Sequence, residues 1–304
     1  TYPCASATAA SGRRKRPPSE KESGVTFRTP TTAGRGKACS NGGRTWQPYP
    51  TNAVIDLHSH ILPGLDDGAR TLEDARELAR RAAADGVTAV AATPHVRPDY
   101  PTRPEDMERG VLGLREDFVE QGIPVEVLHG GEIDLGLLGS LDDDDLRRFS
   151  LARSERYLLL EFPYTGWPSG LEETVYGLGL RGLTPLLAHP ERNREVQSDP
   201  GRLAESVRLG ALVQVTAASL DGRIGRSSQR AAERLLADGL AHVLASDAHT
   251  PDVREAGLAA AAEAVGDDRL AAYLTADAPA AIVAGEAVGP PPKAPRRRRR
   301  FFLF

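Results

Sequence analysis

Seven short apolar runs, at 53–57, 87–92, 125–129, 156–161, 183–188, 211–216 and 241–246, alternate with longer amphipathic stretches. This alternation constrains the fold more than any other feature of the chain. An apolar run of four to eight residues reads as a buried strand. Runs such as AVAAT, LLLEF and LVQVT are apolar almost throughout, as parallel strands covered on both faces must be. The segments between them read as helices. One opens at Thr71 with T-L-E-D, a capping-box pattern, and closes near Gly86; a second opens at Thr102 and closes near Gly122. Others cover roughly 169–181, 200–210, 226–238 and 252–265, with short helices near 267–274 and 277–284. Seven β-α units joined by short links imply a parallel sheet with right-handed crossovers, and about 240 residues suits a single α/β barrel.

Nine metal-capable side chains sit just past or close beyond these runs. They are His58 and His60 in DLHSH, Asp67 in LDDG, His95 in TPH, Glu132 in GGE, Glu161 in LLLEF, His189 in AHPER, and Asp247 and His249 in SDAH. A parallel barrel gathers its reactive groups at the C-terminal edge of its strands. Only the sixth run, ending near Gln214 and Thr216, supplies none. The chain has seven histidines, and none falls in a segment read as helix.

Composition narrows the chemistry. Residues 1–50 carry nine Lys/Arg and two Asp/Glu, and 289–304 carry six Lys/Arg and no acid. Taken from the totals of 38 and 42, this leaves 23 basic and 40 acidic residues in 51–288. The expected organisation is therefore a disordered basic tail at 1–50, an acidic domain at 51–288 and a disordered basic tail at 289–304. An acidic domain argues against a nucleic-acid partner, which needs a basic stripe. It suits a site that holds several divalent cations. Every basic residue of 51–288 is Arg, which excludes a Schiff-base lysine and a carbamylated-lysine bridge. Both cysteines, Cys4 and Cys39, precede the domain, so it has neither a thiolate ligand nor a thiol nucleophile. That fits a reducing cytoplasm. No run of 18 apolar residues marks a membrane span.

His58 and His60 lie two apart on one strand, so their side chains share a face and one ion. Glu132 or Glu161 suits a bridge between ions. Mixed nitrogen and oxygen ligation suits Mn²⁺, Fe²⁺, Zn²⁺ or Mg²⁺. Ions roughly 3.5–4 Å apart would hold a hydroxide for in-line attack on a phosphoryl group. Arg192, in HPER, and Arg254, in SDAHTPDVR, are the best placed cations to take up developing charge. Other residues have plainer readings. His242 opens the seventh run and reads as structural, and His129 as a packing or supporting residue. Of the adjacent Asp66 and Asp67 only one need be a ligand, the other capping or orienting. The acidic run 142–145 reads as a solvated loop or helix cap. Tyr164 and Trp167 read either as a substrate rim or as cover for the barrel edge.

The motifs DLHSHILPGLDDG, ATPH, GGEI, LLLEF, AHPER and SDAH, in that order, resemble the polymerase and histidinol phosphatase superfamily of metal-dependent phosphoesterases. Within it they resemble the bacterial capsule-type protein-tyrosine phosphatases, over roughly 54–285. The resemblance implies a distorted seven-stranded β/α barrel with up to three ions, manganese foremost, at the C-terminal ends of the strands. It implies one ion held by His58, His60, Glu132 and Asp247, a second by Glu132, Glu161 and His189, and a third by Asp67, His95 and His249. Arg192 and Arg254 match the family's phosphate-binding arginines. The implied activity is hydrolysis of phosphotyrosine by a metal-bridging hydroxide, without a phosphoenzyme. The implied substrate is the tail of a bacterial tyrosine kinase of exopolysaccharide synthesis. The alternative within the same fold is a small phosphate ester such as histidinol phosphate.

Overall fold

The computed structural model describes residues 53–251 and 257–293. The expected tails at 1–50 and, from 294 onward, at 289–304 lie outside the described residues, as does Arg254. Ten strands form among the described residues: β1 (Val54–Ser59), β2 (Val87–Ala92), β3 (His95–Arg97), β4 (Tyr100–Pro101), β5 (Glu126–Leu128), β6 (Glu132–Asp134), β7 (Tyr157–Glu161), β8 (Thr184–Ala188), β9 (Leu212–Thr216) and β10 (Val243–Ala245). The apolar runs became β1, β2, β5, β7, β8, β9 and β10. β3, β4 and β6 were not expected.

The result is a mixed α/β fold on parallel sheets, with one antiparallel pair, β3–β4. The hydrogen-bonded ladders do not run as one ring of seven strands, as the barrel expectation requires. They fall into a three-stranded sheet, β1-β2-β5, and a seven-stranded sheet, β10-β9-β8-β7-β6-β3-β4. The chain breaks at two corresponding places. After β2 it passes Thr93 and Pro94 and re-enters the second sheet as β3; after β5 it passes His129, Gly130 and Gly131 and re-enters as β6. Pro94 has no N–H to continue a ladder. Gly131 packs so tightly that a Cβ there would lie 2.6 Å from Phe149. The sheets also meet through β1: Ser59 bridges Ala248, His60 N donates to Ala248 O at 2.8 Å, and Asp247 N donates to His58 O at 2.9 Å.

Alternate residues of the apolar strands share one interior cluster. Ile55, Leu57, Ala89, Ala91, Leu159, Leu186 and Val243 belong to it and are fully or almost fully buried. A larger cluster packs the opposite strand faces against the helices. Both faces are therefore dry, which is why the strands read as unbroken apolar runs. The helix Leu72–Ala84 opens with the expected capping box: Thr71 accepts from Asp74 N, and the Asp74 side chain accepts from Thr71 N. The second helix starts at Pro104 rather than Thr102. Arg103 makes no side-chain cap, and the proline at the first helical position replaces it. The acidic run is a helix cap: Asp142 accepts from Asp145 N, and Asp143–Arg148 is helical. The segment expected as one helix at 200–210 divides into a 3₁₀ turn, Pro200–Leu203, and a short helix, Ala204–Arg208.

Candidate metal centre

All nine ligand-capable side chains converge in one cluster: His58, His60 and Glu161 at the ends of β1 and β7, His189, Asp247 and His249 just past β8 and β10, Asp67 in the segment after β1, and His95 and Glu132 at the first positions of β3 and β6. Four overlapping groups have ligand atoms within 4.8 Å of one another: His58, His60 and Asp247; His58, Glu132 and His189; His95, Glu132 and Glu161; and His60, Asp67, His95 and His249. Two of the sets the resemblance implies lie together, His58, His60 and Asp247 beside Glu132, and Asp67 with His95 and His249, whereas the second groups differently. His189 stands with His58 and Glu132, its Nε2 2.9 Å from Glu132 Oε1, whereas His95 stands with Glu132 and Glu161. The sheet explains this. His95 and Glu132 are direct partners across β3 and β6, and Asp134 pairs Glu161 across β6 and β7. The two chain breaks therefore carry His95 and Glu132 side by side into the second sheet.

The strand ends aim these side chains by local geometry. The β1 register slips between Asp56 and Ser59, where His58 and His60 turn into the site. The buried Asp56 carboxylate accepts from His58 N and Ser246 N, tying β1 to β10 below the site. His189 and Asp247 are non-glycine residues with left-handed backbone, at φ 39° and 55°. Such conformations cost on the order of 1–3 kcal/mol each and persist where surrounding structure fixes them. Gly68 approaches His60 so closely that a Cβ would sit 2.1 Å from the His60 carbonyl oxygen.

Supporting groups fix the imidazoles. His58 Nδ1 donates to Gln214 Oε1 at 3.0 Å, and His60 Nδ1 donates to Asp66 Oδ2 at 2.7 Å. With both Nδ1 atoms engaged, the two Nε2 atoms are left facing each other at 3.2 Å. Both also lie 3.4 Å from Glu132 Oε2, and 3.2 and 3.4 Å from Asp247 Oδ1. Two lone pairs and two carboxylates directed at one point are a cation's ligand set. Glu161 Oε2 and His189 Nδ1 are buried without a hydrogen-bond partner, and Glu132 Oε2 and His95 Nδ1, 2.9 Å apart, make no well-directed hydrogen bond. Buried polar atoms are rarely left so, and this donor set fits divalent ions with oxygen and nitrogen ligation.

Asp66 and Asp67 divide the two roles left open by the sequence. The Asp66 side chain is fully buried and accepts from His60, Gly68 N and His95 N. Asp67 is partly exposed and lies 3.4 Å from His95 Nε2 and 3.5 Å from His249 Nε2. The cluster thus runs from a deep end at His58, His60 and Glu132 to an open end at Asp67 and His249.

In the protein alone, protons stand in for cations. Burial by itself would push the His58 imidazole down, but Glu132 and Asp247 outweigh it and hold His58 up at about 9. Burial also opposes a charge on His60, yet Asp247, Asp66 and Glu132 raise it. Against their own burial, Glu132 and Asp247 are held well below the usual carboxylate range by His58 and its neighbours. Glu161 is raised, by burial first and then by Glu132 beside it.

Arg192 reaches Asp247 Oδ2 at 2.5 Å and lies over the Tyr164 ring, 4.8 Å from its centroid. Tyr164 is half exposed and stacks on His189, which makes it a rim residue. Trp167 meets Phe162 edge-on and packs against the core, so it covers the sheet instead. His129 and His242 stand apart from the cluster. His242 Nδ1 accepts from Val213 N, and burial lowers His242 to about 4 and His129 to about 3. A groove of about 350 Å³ opens beside the cluster, with Arg97 and Glu161 on its wall.

Three groups escaped the sequence reading: Gln214, Arg97 and Glu191. Gln214 was legible as the polar residue in the middle of LVQVT. Glu191 is fully buried, its Oε1 accepting from Thr216 N and the Ser219 hydroxyl; its signal was only its place between His189 and Arg192. Arg97 lies in a short polar segment between prolines, which carries no strand signal.

Residues 54–282 match the family model for capsular polysaccharide synthesis, CpsB/CapC. The chain is 37% identical over 203 residues to the tyrosine-protein phosphatase YwqE of Bacillus subtilis, covering 66% of this chain and 79% of that protein. It is 31% identical over 200 residues to the putative tyrosine-protein phosphatase CapC of Staphylococcus aureus, covering 65% and 77%. Against the tyrosine-protein phosphatase CpsB of Streptococcus agalactiae, identity is 28% over 216 residues, covering 68% and 88%. A solved structure from work on YwqE of Bacillus subtilis and CpsB of Streptococcus pneumoniae, described as unique metal-dependent tyrosine phosphatases, superposes with a TM-score of 0.72. Its identity is 33%, over 80% of this chain and 100% of that one.

Proposed function

The chain belongs to the CpsB/CapC family of capsular polysaccharide synthesis, and from that premise we propose that it is a metal-dependent protein-tyrosine phosphatase. One observation carries the reading: nine ligand-capable side chains meet in a single cluster, with Arg192 beside Asp247 at its edge. The nine are the proposed ligands, and Arg192 the proposed phosphate contact. Arg254, outside the described residues, keeps the same proposed role on its sequence position alone.

Bound divalent ions would lower the pKa of water and neutralise phosphoryl oxygens. The residues of this chain do the rest. Gln214 and Asp66 hold His58 and His60 with their Nε2 lone pairs inward. Arg192 supplies donors to the phosphoryl oxygens, and Tyr164 supports its guanidinium. The cluster's buried depth excludes bulk water and strengthens these charges. A phenolate leaving group has a pKa near 10, which lowers the demand for a protonating side chain.

Manganese is our choice of ion, up to three per chain. The choice follows the family resemblance; the mixed histidine and carboxylate set without sulfur suits Fe²⁺, Zn²⁺ and Mg²⁺ as well. The substrate we propose is a phosphotyrosine segment of a bacterial tyrosine kinase of exopolysaccharide synthesis. Its support is the family's place in capsule synthesis and the relatives' names as tyrosine phosphatases. Those names favour phosphotyrosine over a small ester such as histidinol phosphate. A cytoplasmic site of action goes with this reading, and no helix among the described residues is long and apolar enough to cross a membrane. The shared interior cluster beneath the site supports treating the two sheets as parts of one distorted barrel.

The test is hydrolysis, by the metal-loaded full chain, of a phosphotyrosine peptide beside histidinol phosphate and single-stranded DNA. Preference for the peptide supports the proposal; preference for either of the others contradicts it.

A further inference from the structure

Two edges of the cluster are built alike. At one, Tyr164 stacks on His189 at 5.8 Å and 8°, Arg192 lies over the tyrosine ring at 4.8 Å, and Arg192 Nη1 meets Asp247 Oδ2 at 2.5 Å. At the other, Tyr100 stacks on His95 at 5.8 Å and 18°, Arg97 lies over that ring at 5.2 Å, and Arg97 Nη1 meets Glu161 Oε1 at 3.0 Å. Each edge layers an imidazole, a phenol ring and a guanidinium, with the guanidinium tied to a buried carboxylate of the cluster. The β3–β4 hairpin builds the second copy. Arg97 and Tyr100 are direct partners across it, and β3 begins at His95.

We infer that Arg97 is a further phosphate-binding arginine beside the proposed Arg192 and Arg254, holding a phosphoryl oxygen of the substrate from the groove side. The inference rests on the phosphatase reading for the identity of the anion. The plainer role, neutralising Glu161, uses only Nη1. Asp99 pairs with Nε at 2.9 Å. A guanidinium has five N–H donors, so Nη2 keeps two beyond these partners. The side chain is 21% exposed, close to the 25% of Arg192, and lies on the wall of the groove beside Glu161. Stacking on Tyr100 fixes the plane of the fork, so less freedom is lost when it binds an oxyanion.

The experiment compares the metal-loaded full-length protein with its Arg97→Gln and Arg97→Lys variants. Three quantities are read: affinity for inorganic phosphate, metal bound per chain, and kcat and KM for a phosphotyrosine peptide. Arg97→Gln is expected to weaken phosphate binding roughly 10- to 100-fold and to raise KM, with metal content unchanged. Arg97→Lys should recover part of the affinity, since it keeps the charge without the fork. Unchanged phosphate affinity in Arg97→Gln overturns the inference. So does metal loss that accounts for the lost affinity, which would make Arg97 a support of Glu161. If the wild type binds phosphate through Arg97 yet spares phosphotyrosine, the anion site stands and the tyrosine-phosphatase reading falls.

Discussion

Gln214 Oε1 lies 3.0 Å from His58 Nδ1, and the same residue's carbonyl oxygen accepts from His189 N at 2.9 Å. β9, the strand with no ligand-capable end, thus orients two imidazoles of the cluster. Losing such a supporting partner typically costs 10- to 100-fold in metal affinity. Gln214→Leu should weaken Mn²⁺ binding by about that factor, while Gln214→Glu, which keeps an acceptor, should not. Metal titration of the two variants checks this. Equal affinity in wild type and Gln214→Leu would remove Gln214 from the account.

Asp66 and Asp67 should separate cleanly. Asp66→Ala leaves the His60, Gly68 and His95 donors without their acceptor, at about 1–3 kcal/mol for such buried groups, and so should lower both metal-free stability and metal affinity. Asp67→Ala removes a partly exposed carboxylate and should lower metal occupancy while leaving metal-free stability nearly unchanged. Denaturant unfolding of the metal-free variants beside elemental analysis of the loaded ones gives both quantities.

His242 predicts a pH effect away from the metal centre. Burial lowers its imidazole to about 4, against about 6.5 in an unfolded chain. The unfolded chain therefore binds the proton more readily, and stability falls as pH drops from about 6.5 toward 4. Between pH 7 and pH 5 this one group should remove on the order of 2 kcal/mol. Since the cluster's imidazoles also titrate, the diagnostic quantity is the difference between wild type and His242→Gln. The variant should be less stable at pH 7 and lose less on acidification. Parallel pH profiles would show that His242 titrates alike in the folded and unfolded chain and would contradict its lowering by burial.

Arg192→Ala should lower kcat/KM for a phosphotyrosine peptide on the order of 10²- to 10³-fold, the effect of removing one preorganised donor to developing charge. Metal content should stay at the wild-type level, because Arg192 contacts Asp247 but is not itself a ligand. A matching loss of metal would reassign Arg192 to holding Asp247 in place.

Much of this arrangement was legible in the sequence for one reason. Parallel strands dry on both faces read as unbroken apolar runs, so residues at their ends, such as Glu161 after LLL and His189 after LLA, could be placed on one edge. The chain breaks were not legible. ATPH and LHGGE look like simple strand ends, yet Pro94 and the Gly130–Gly131 pair pass each chain to the second sheet, and this pairs His95 with Glu132. The β3–β4 hairpin was hidden because Pro94 precedes it, Pro98 sits in its turn and Pro101 ends it. Asp66 and Asp67 could not be told apart by sequence, since one position of backbone separates a fully buried acceptor from a partly exposed ligand candidate. The start of the second helix was misplaced at Thr102 because a threonine after a proline resembles a cap, whereas Pro104 itself opens the helix.

The central claim is tested most directly by phosphotyrosine-peptide hydrolysis by the full-length protein, with added Mn²⁺ and after chelation, with metal counted by elemental analysis. The account predicts turnover that requires metal, is abolished by chelator, and is lost together with bound metal in His58→Ala and Asp247→Ala. Full turnover in the chelated protein, or in either variant, would contradict it.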